Sequence, residues 1–335
     1  MHFDIFIYST PLTSRFRGLN SRNGLLLRGP GGWGETSPFW DYDAEYSSAW
    51  LRAGIEAATE GFPTPVRNSI PVNVTVPAVG PEQAFEIARR GNARTAKVKV
   101  AEPGQSLADD VNRVAAVRQA LGPDAKIRVD ANGGWSIDDA VTALSAINRA
   151  AGGLEYAEQP VMDVEDLARV RRRVSVPIAA DESIRRASDP FRVKELDAAD
   201  LVVVKNQPLG GVRRALDIAG QIGMPVVVSS ALESSIGIRA GLAFAAALPE
   251  LPYACGLATV QLFSRDTVAQ PLLPDNGKIT VRDVEPDYLP APDPQLVDQW
   301  EQRLAAMWEY VDVDASYTLH RDSYQPAKDL EDTHD

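Results

Sequence analysis

The side chains able to do chemistry stand at the ends of five apolar runs. The runs are Ala96-Lys97-Val98-Lys99-Val100, Ile127-Arg128-Val129-Asp130, Leu154-Glu155-Tyr156-Ala157-Glu158, Pro177-Ile178-Ala179-Ala180-Asp181 and Leu201-Val202-Val203-Val204-Lys205. The steps are nearly constant: 31 residues from Lys99 to Asp130, 28 to Glu158, 23 to Asp181 and 24 to Lys205. Each holds about one strand, one helix and two loops. Charged residues at the C-terminal ends of successive strands in a βα array mark an active site. The order Lys, Asp, Glu, Asp, Lys names its chemistry: three carboxylates holding a divalent cation, with an amine on either side.

Strand side chains alternate. Lys97 and Lys99 therefore share one face, and Val98 and Val100 the other. The valines can pack on helices, which turns the lysines into the barrel. Two solvated lysines on an edge strand would read the same, but the second strand of a closed barrel has no edge. Lys99, nearer the strand end, is placed to reach a substrate. Lys97 stands behind it, and a neighbouring positive charge weakens a lysine's hold on its proton.

Neighbouring strands lie about 4.8 Å apart, so Asp130, Glu158 and Asp181 converge. Unaccompanied, they would repel one another and be harder to ionise. They are hard oxygen ligands with no cysteine or local histidine. That favours Mg2+ over zinc, with Mn2+ as the alternative. Unrelated surface carboxylates would explain one such residue, but not three at successive strand ends. Lys205 ends the sixth strand, opposite the second in a ring of eight. A substrate carboxylate on the metal would have its α-carbon between Lys99 and Lys205. One lysine takes the proton, and the metal stabilises the enediolate that results. The expected partner is a small-molecule carboxylate.

The elements that position these groups begin at Pro71. A first strand is expected at 72–76 and a helix at 81–90. Amphipathic stretches at 107–121, 137–150, 164–174, 190–196 and 211–222 separate the charged runs. Runs at 225–230 and 253–256 bring the count to eight strands, which fits a closed parallel barrel. An open doubly wound sheet would normally show a Gly-rich phosphate loop after its first strand. Pro77-Ala78-Val79-Gly80-Pro81 is not one. The first 68 residues lack the rhythm. They read as a strand at 3–8, a hairpin or meander at 24–28 and 32–36, and a helix at 44–59 stopped by Gly61 and Pro63. After Leu262 the rhythm ends. A short strand at 277–281 and an amphipathic helix at 294–311 precede a polar, acidic stretch from Tyr317, extended over the surface or frayed. The expected organisation is a barrel at 69–262 under a small α+β cap. Residues 1–68 begin that cap and 263–335 return to it.

The chain has 335 residues, 44% of them hydrophobic, and a formal charge of −12. The acidity disfavours nucleic acid and anionic membranes as partners, and solubility accounts for it. The single cysteine, Cys255, sits in an apolar run. It excludes an internal disulfide or a multi-cysteine metal site and reads as a buried thiol. Met1-His2-Phe3-Asp4 opens no signal-peptide pattern. No run approaches the roughly 20 apolar residues of a membrane span. The expected location is the cytoplasm. Oligomeric state is not legible.

Lys97-Val98-Lys99, Asp130-Ala131-Asn132-Gly133, Glu158-Gln159-Pro160, Asp181-Glu182-Ser183 and Lys205-Asn206-Gln207-Pro208 resemble the enolase superfamily, muconate-lactonizing-enzyme subgroup. The resemblance covers the whole barrel. Gly32-Trp33-Gly34-Glu35-Thr36-Ser37-Pro38-Phe39 resembles the cap strand of the same subgroup. It implies an α/β fold, a modified (β/α)7β TIM-like barrel with an α+β capping domain. It further implies Mg2+ on Asp130, Glu158 and Asp181, and Lys99 and Lys205 as catalytic residues, with Lys97 and Asn132 in support. The histidine-base branch is disfavoured, since His2, His320 and His334 are the only histidines and lie outside the barrel.

Within the subgroup, Ser229-Ser230-Ala231-Leu232-Glu233-Ser234-Ser235-Ile236-Gly237 and Ala254-Cys255-Gly256-Leu257-Ala258-Thr259 resemble the o-succinylbenzoate synthases. In that family the loop after strand seven helps hold the substrate, which points to Ser230, Ser234 and Ser235. Capping serines in a polar loop are the plainer alternative. The tip of strand eight lacks the Asp-x-Asp of dipeptide epimerases. The implied activity is Mg-dependent syn dehydration of 2-succinyl-6-hydroxy-2,4-cyclohexadiene-1-carboxylate in menaquinone biosynthesis. Lys99 would take the α-proton and Lys205 would stay cationic. An N-succinylamino acid racemase, or another epimerase or cycloisomerase of the subgroup, is the alternative. A Schiff-base aldolase is disfavoured, because three adjacent carboxylates would hold its lysine protonated. A bare carboxylate binder would not need two opposed lysines. The Arg-rich stretch 10–23, with Arg15, Arg17 and Arg22, fits no family pattern. It reads as meeting an anionic substrate or balancing an acidic surface.

Overall fold

A computed structural model of the chain describes residues 1–16, 18–185 and 190–326, without the side chains of residues 14–16 and 91. The N-terminal part is an antiparallel meander of β1 (His2–Phe16), β2 (Leu19–Gly29) and β3 (Gly32–Thr36), followed by α1 (Ala44–Thr59). Asp43 caps α1 by accepting from the Tyr46 amide. β3 lies directly on α1. A Cβ at Gly34 would stand 2.0 Å from the Gly54 carbonyl oxygen, so only glycine permits the approach.

The strand–helix rhythm follows. β4 (Ser69–Pro71) and β5 (Val74–Val76) precede α2 (Pro81–Ala88). Then come β6 (Thr95–Lys99), α3 (Leu107–Leu121), β7 (Lys126–Asp130), α4 (Ile137–Ala151), β8 (Tyr156–Glu158) and α5 (Val164–Arg171). β9 (Ile178–Ala180) leads into the short turns α6 (Glu182–Arg185) and α7 (Arg192–Glu195). β10 (Leu201–Val204), α8 (Val212–Ile222), β11 (Val226–Val228) and α9 (Ser235–Ala247) complete the series. Side-chain caps at Ser106, Ser136, Asp163 and Ser234 start four of these helices just past the strand mouths. Such caps satisfy amides that would otherwise lack partners.

β5 to β11 form one seven-stranded sheet in sequence order, and the pairs are parallel. The expected eighth strand at 253–256 is not a regular strand. Cys255 makes a single parallel bridge to Val72, and Gly256 one to Ser229. The Cys255 amide donates to Pro71 and the Gly256 amide to Val228. The ring is thus closed, but across only one residue on each side.

Alternation sorts the strand residues. Val98, Val129, Ala180, Val202, Val204 and Val228 face outward into the large core shared with the helices. Tyr156, Ala179, Leu201, Val203 and Val227 cluster inside the ring. Above that plug, Glu158, Asp181 and Lys205 take the next inward positions, at the ends of β8, β9 and β10. A packed lower layer leaves the upper end free for chemistry.

β12 (Lys278–Thr280) pairs antiparallel with β4, on the barrel side, so the stretch from residue 263 does not all return to the cap as expected. Its packing into the cap core comes from the next helix onward. α10 (Pro294–Trp308) places Val297, Trp300, Leu304 and Met307 against Phe3, Ile5, Leu25, Leu27, Leu51 and Ile55. β13 (Ser316–His320) adds to β1 as a parallel strand. The sequence pattern suggested an extended or frayed stretch there. It is held because His320 stacks on Phe6, with ring centroids 4.5 Å apart, and bonds to Asp4. Residues from 327 onward lie outside the described residues. Among the described residues no helix is long and apolar enough to cross a membrane.

Candidate active site

Lys99, Asp130 and Glu158 share one register row across β6, β7 and β8. Asp181 and Lys205 are the first residues beyond β9 and β10. Asp130, Glu158 and Asp181 are each 1% exposed, and buried charges need partners. Lys97 Nζ lies 3.1 Å from Asp130 Oδ2 and 3.1 Å from Glu158 Oε1. Lys99 Nζ lies 2.6 Å from the same Asp130 Oδ2 and 2.6 Å from Asn132 Oδ1. Asn132 has φ 46°, a left-handed conformation that asparagine tolerates. Its Nδ2 donates to Glu182. Lys205 donates to Asp181 Oδ2, and Arg185 Nε donates to Oδ1 at 3.1 Å.

These contacts set the ionisation. Burial raises Glu158, and repulsion from Asp130 adds to it, so its carboxyl is pushed up to about 7. Burial would also raise Asp130, but the Lys99 and Lys97 ammoniums outweigh it and hold Asp130 well below the usual carboxylate range. Burial likewise opposes ionisation of Asp181, and Arg185 and Lys205 hold it at about 2. Burial lowers Lys205 despite the attraction of Asp181. Lys97 is raised, because Glu158 and Asp130 together exceed the cost of its burial. The sequence reading gave Lys97 the task of loosening the Lys99 proton. The structure places its ammonium between two carboxylates.

A narrow cavity opens over this row. Lys97, Lys99, Asp130, Asn132 and Lys205 form its floor, so the two expected catalytic lysines face one space from strands four places apart in the ring. Phe39, Tyr42 and Trp50 of the cap roof it, and Ser229, Ser230, Ala231, Leu232, Gly256 and Thr259 form one wall. Ser230 Oγ and Thr259 Oγ1 lie 2.8 Å apart. Ser234 and Ser235, expected beside the substrate, do not line the cavity. Both are fully buried. Ser234 caps α9 and donates to Glu35, while Ser235 Oγ accepts from the Leu272 amide. They pack a helix instead of presenting hydroxyls.

Arg185, the cap aromatics and Thr259 were not singled out by sequence. Arg185 carried a usable signal, four residues after Asp181 on a helical turn. It also donates to Tyr42, tying the barrel mouth to the cap. Arg22 from the Arg-rich stretch neither meets the cavity nor balances the surface. It is buried against backbone carbonyls. Arg17 and the side chain of Arg15 lie outside the described residues. Cys255 is buried, and its thiol is pushed up to about 12, as an inert core residue should be.

The donor set fits a hard divalent cation. Three buried carboxylates end neighbouring strands, and Glu182 beside them has a buried Oε2 without a hydrogen-bond partner. As the side chains stand, their oxygens are turned to the lysines. Among the described residues no three acids or histidines already converge as a ligand group. The expected convergence holds for the strand ends but not for the oxygens, because buried ammoniums are the strongest partners in reach.

Comparison with known proteins places this geometry. The family model described as enolase C-terminal domain-like matches residues 81–286, and the one described as enolase N-terminal domain-like matches 7–58. The chain belongs to the enolase superfamily. This enolase-superfamily protein is 54% identical over 309 residues to the o-succinylbenzoate synthase of Thermobifida fusca, covering 91% of this chain and 97% of that protein. It is 53% identical to the protein of that name from Mycolicibacterium smegmatis, over 90% of this chain and 94% of the other. Among solved structures it resembles the L-Ala-D/L-Glu epimerase from Bacillus subtilis, with TM-score 0.72 and 24% identity over 85% of this chain and 96% of that one. It also resembles a muconate cycloisomerase variant, with TM-score 0.71 and 22% identity over 91% and 98%. Those two likenesses speak for the fold alone.

Proposed function

We propose that this chain is an o-succinylbenzoate synthase that dehydrates 2-succinyl-6-hydroxy-2,4-cyclohexadiene-1-carboxylate in menaquinone biosynthesis. Identity above 50% over nine-tenths of the chain with proteins of that name carries the reading. The opposed lysines supply the chemistry. Loss of the C1 proton and the C6 hydroxyl puts a double bond between those carbons and completes an aromatic ring, with water as the other product.

Lys99, as the free amine, removes the C1 proton and then, as the ammonium, returns it to the leaving hydroxyl on the same face. Asp130 and Asn132 hold the Lys99 nitrogen in place. Lys205 stays cationic on the opposite side and stabilises the negative charge that develops. Asp130, Glu158 and Asp181 are the residues that would hold Mg2+, with Lys97 in support. Mg2+, when bound, supplies positive charge to the substrate carboxylate. The aromatic roof excludes water from the ring, and the hydroxyls of Ser230 and Thr259 face the succinyl arm. The only partner we expect is this small carboxylate, in the cytoplasm, with no nucleic acid or membrane.

The test is a panel of the cyclohexadiene carboxylate and N-succinylamino acids, run with Mg2+ and after chelation. Turnover of the first with Mg2+ supports the synthase. Because Lys99 and Lys205 both line the cavity, from strands four places apart, racemisation of N-succinylamino acids is the second reading. Their rapid exchange without dehydration would replace the first.

A further inference from the structure

Glu35 lies on β3 of the cap, yet its carboxylate serves the barrel. It is 3% exposed. Its Oε2 accepts from the Ser234 hydroxyl at 2.5 Å, the Ser234 amide at 3.1 Å and the Gly237 amide at 2.9 Å. Those amides open α9, so a cap carboxylate neutralises the positive end of a barrel helix. Tyr8 and Ser37 hold Oε1 from the cap side, at 2.8 and 2.7 Å. A Cβ at Gly237 would come within 2.5 Å of the Glu233 Cβ, so the turn closes this tightly only with glycine.

Arg22, on the neighbouring strand β2, is 2% exposed. It donates to the carbonyls of Leu232, at 2.9 Å, and Ala231, at 3.2 Å, and also to that of Ser37. Its guanidinium lies 4.4 Å over the Phe39 ring. Leu232 has φ 66°, where a leucine stays only if its surroundings hold it. Ala231 and Leu232 are wall residues of the active-site cavity. Two buried charged groups of the cap therefore hold this strained stretch, Arg22 at residues 231 and 232 and Glu35 at the start of α9 just after them.

We propose that Arg22 and Glu35 are positioning residues for the substrate-holding loop at 229–232. Docking of the cap sets the backbone on which Ser230 presents its hydroxyl and Leu232 its side chain. The cap then acts on specificity through a barrel loop as well as through Phe39 and Tyr42. The substrate named in the test rests on the synthase reading.

The test measures kcat and KM with Mg2+ and the cyclohexadiene substrate for wild type, Glu35→Gln, Ser230→Ala and the double variant. Glu35→Gln keeps the shape but turns an NH2 toward amides that need an acceptor. KM should rise about tenfold while kcat stays within about threefold. The double variant should be no worse in KM than the poorer single one, because both lose the same contact. Independent multiplication of the two KM effects, or a fall in kcat at unchanged KM, overturns the proposal. If Glu35→Gln does not fold, Arg22→Lys replaces it in the cycle. Hydrogen exchange on the wild type gives a second readout. Binding of o-succinylbenzoate should slow the amides of 231–237 and of 36–37 together, and protection of 231–237 alone overturns the coupling. A wild type that does not dehydrate the cyclohexadiene substrate overturns the synthase reading instead. The same cycle is then run with the N-succinylamino acid that the enzyme exchanges.

Discussion

Lys97 and Lys99 donate to the same oxygen, Oδ2 of Asp130, at 3.1 and 2.6 Å. They part from there. Lys97 continues to Glu158, so its ammonium serves two carboxylates. Lys99 continues to the amide oxygen of Asn132 and is the more exposed of the two, with 15% against 10% of its side chain accessible. One carboxylate thus holds two lysines of a single strand, the inner one shared with Glu158 and the outer one with Asn132.

Lys99→Ala should therefore lower turnover of the cyclohexadiene carboxylate by about 10²–10⁴-fold, the range of a lost general acid–base group. Steady-state kinetics on folded protein checks this. Activity equal to wild type would reject the role given to Lys99.

Dialysis against a chelator should abolish activity, and Mg2+ should restore it. Glu158→Gln should raise the Mg2+ concentration needed for half-activity while leaving a cooperative thermal transition. Its side chain sits at the strand mouth, above the packed layer. Full activity in metal-stripped enzyme would contradict the cation site.

In D2O with an N-succinylamino acid, a dedicated synthase should exchange neither enantiomer appreciably. A racemising enzyme behaves differently. There, Lys205→Arg should lose exchange from one enantiomer and keep it with the other, because each lysine serves one face. NMR of the α-proton reads both outcomes, and equal loss from both enantiomers would contradict the two-sided arrangement.

Glu233 gives a pH test remote from the carboxylate trio. Burial and the facing Glu35 push its carboxyl from 4.5 to about 7, against the pull of Arg22. Between those values the folded chain keeps a proton that the unfolded chain has lost, so stability falls as pH rises. The contribution is complete below pH 4.5 and gone above about 7. At about 1.4 kcal/mol per unit, the loss is on the order of 3 kcal/mol. Glu233→Gln should flatten the denaturation midpoint across that window. An unchanged slope between wild type and variant would count against the buried acid.

Much of the site was legible because it follows from two local regularities. The period of two placed Lys97, Lys99, Asp130 and Glu158 on inward positions, and the repeat length fixed which strands they ended. Helical periodicity likewise gave Ala44–Thr59 and Leu107–Leu121 as they are seen. Ser234 and Ser235 were misplaced because a serine that starts a helix and one that binds a ligand look alike in sequence. The Glu35–Ser234 contact joins residues 199 apart, and no local pattern encodes it. Arg22 was unreadable for a related reason. Its partners are backbone carbonyls, which carry no side-chain signature.

The parallel pairing of β13 with β1 bears on how the chain is made. His2 and its partner Ser316 are 314 residues apart, so β1 leaves the ribosome long before one of its neighbours exists. Until then its outer edge is a template for wrong pairing, and Phe3 and Ile5 lack the cover of Trp300 and Leu304. All the barrel strands lie between these two ends and are synthesised before β13. A nascent chain stalled before residue 294 would hold every stave of the ring beneath an unfinished, adhesive lid, which makes the last stretch of translation the step most in need of chaperone cover.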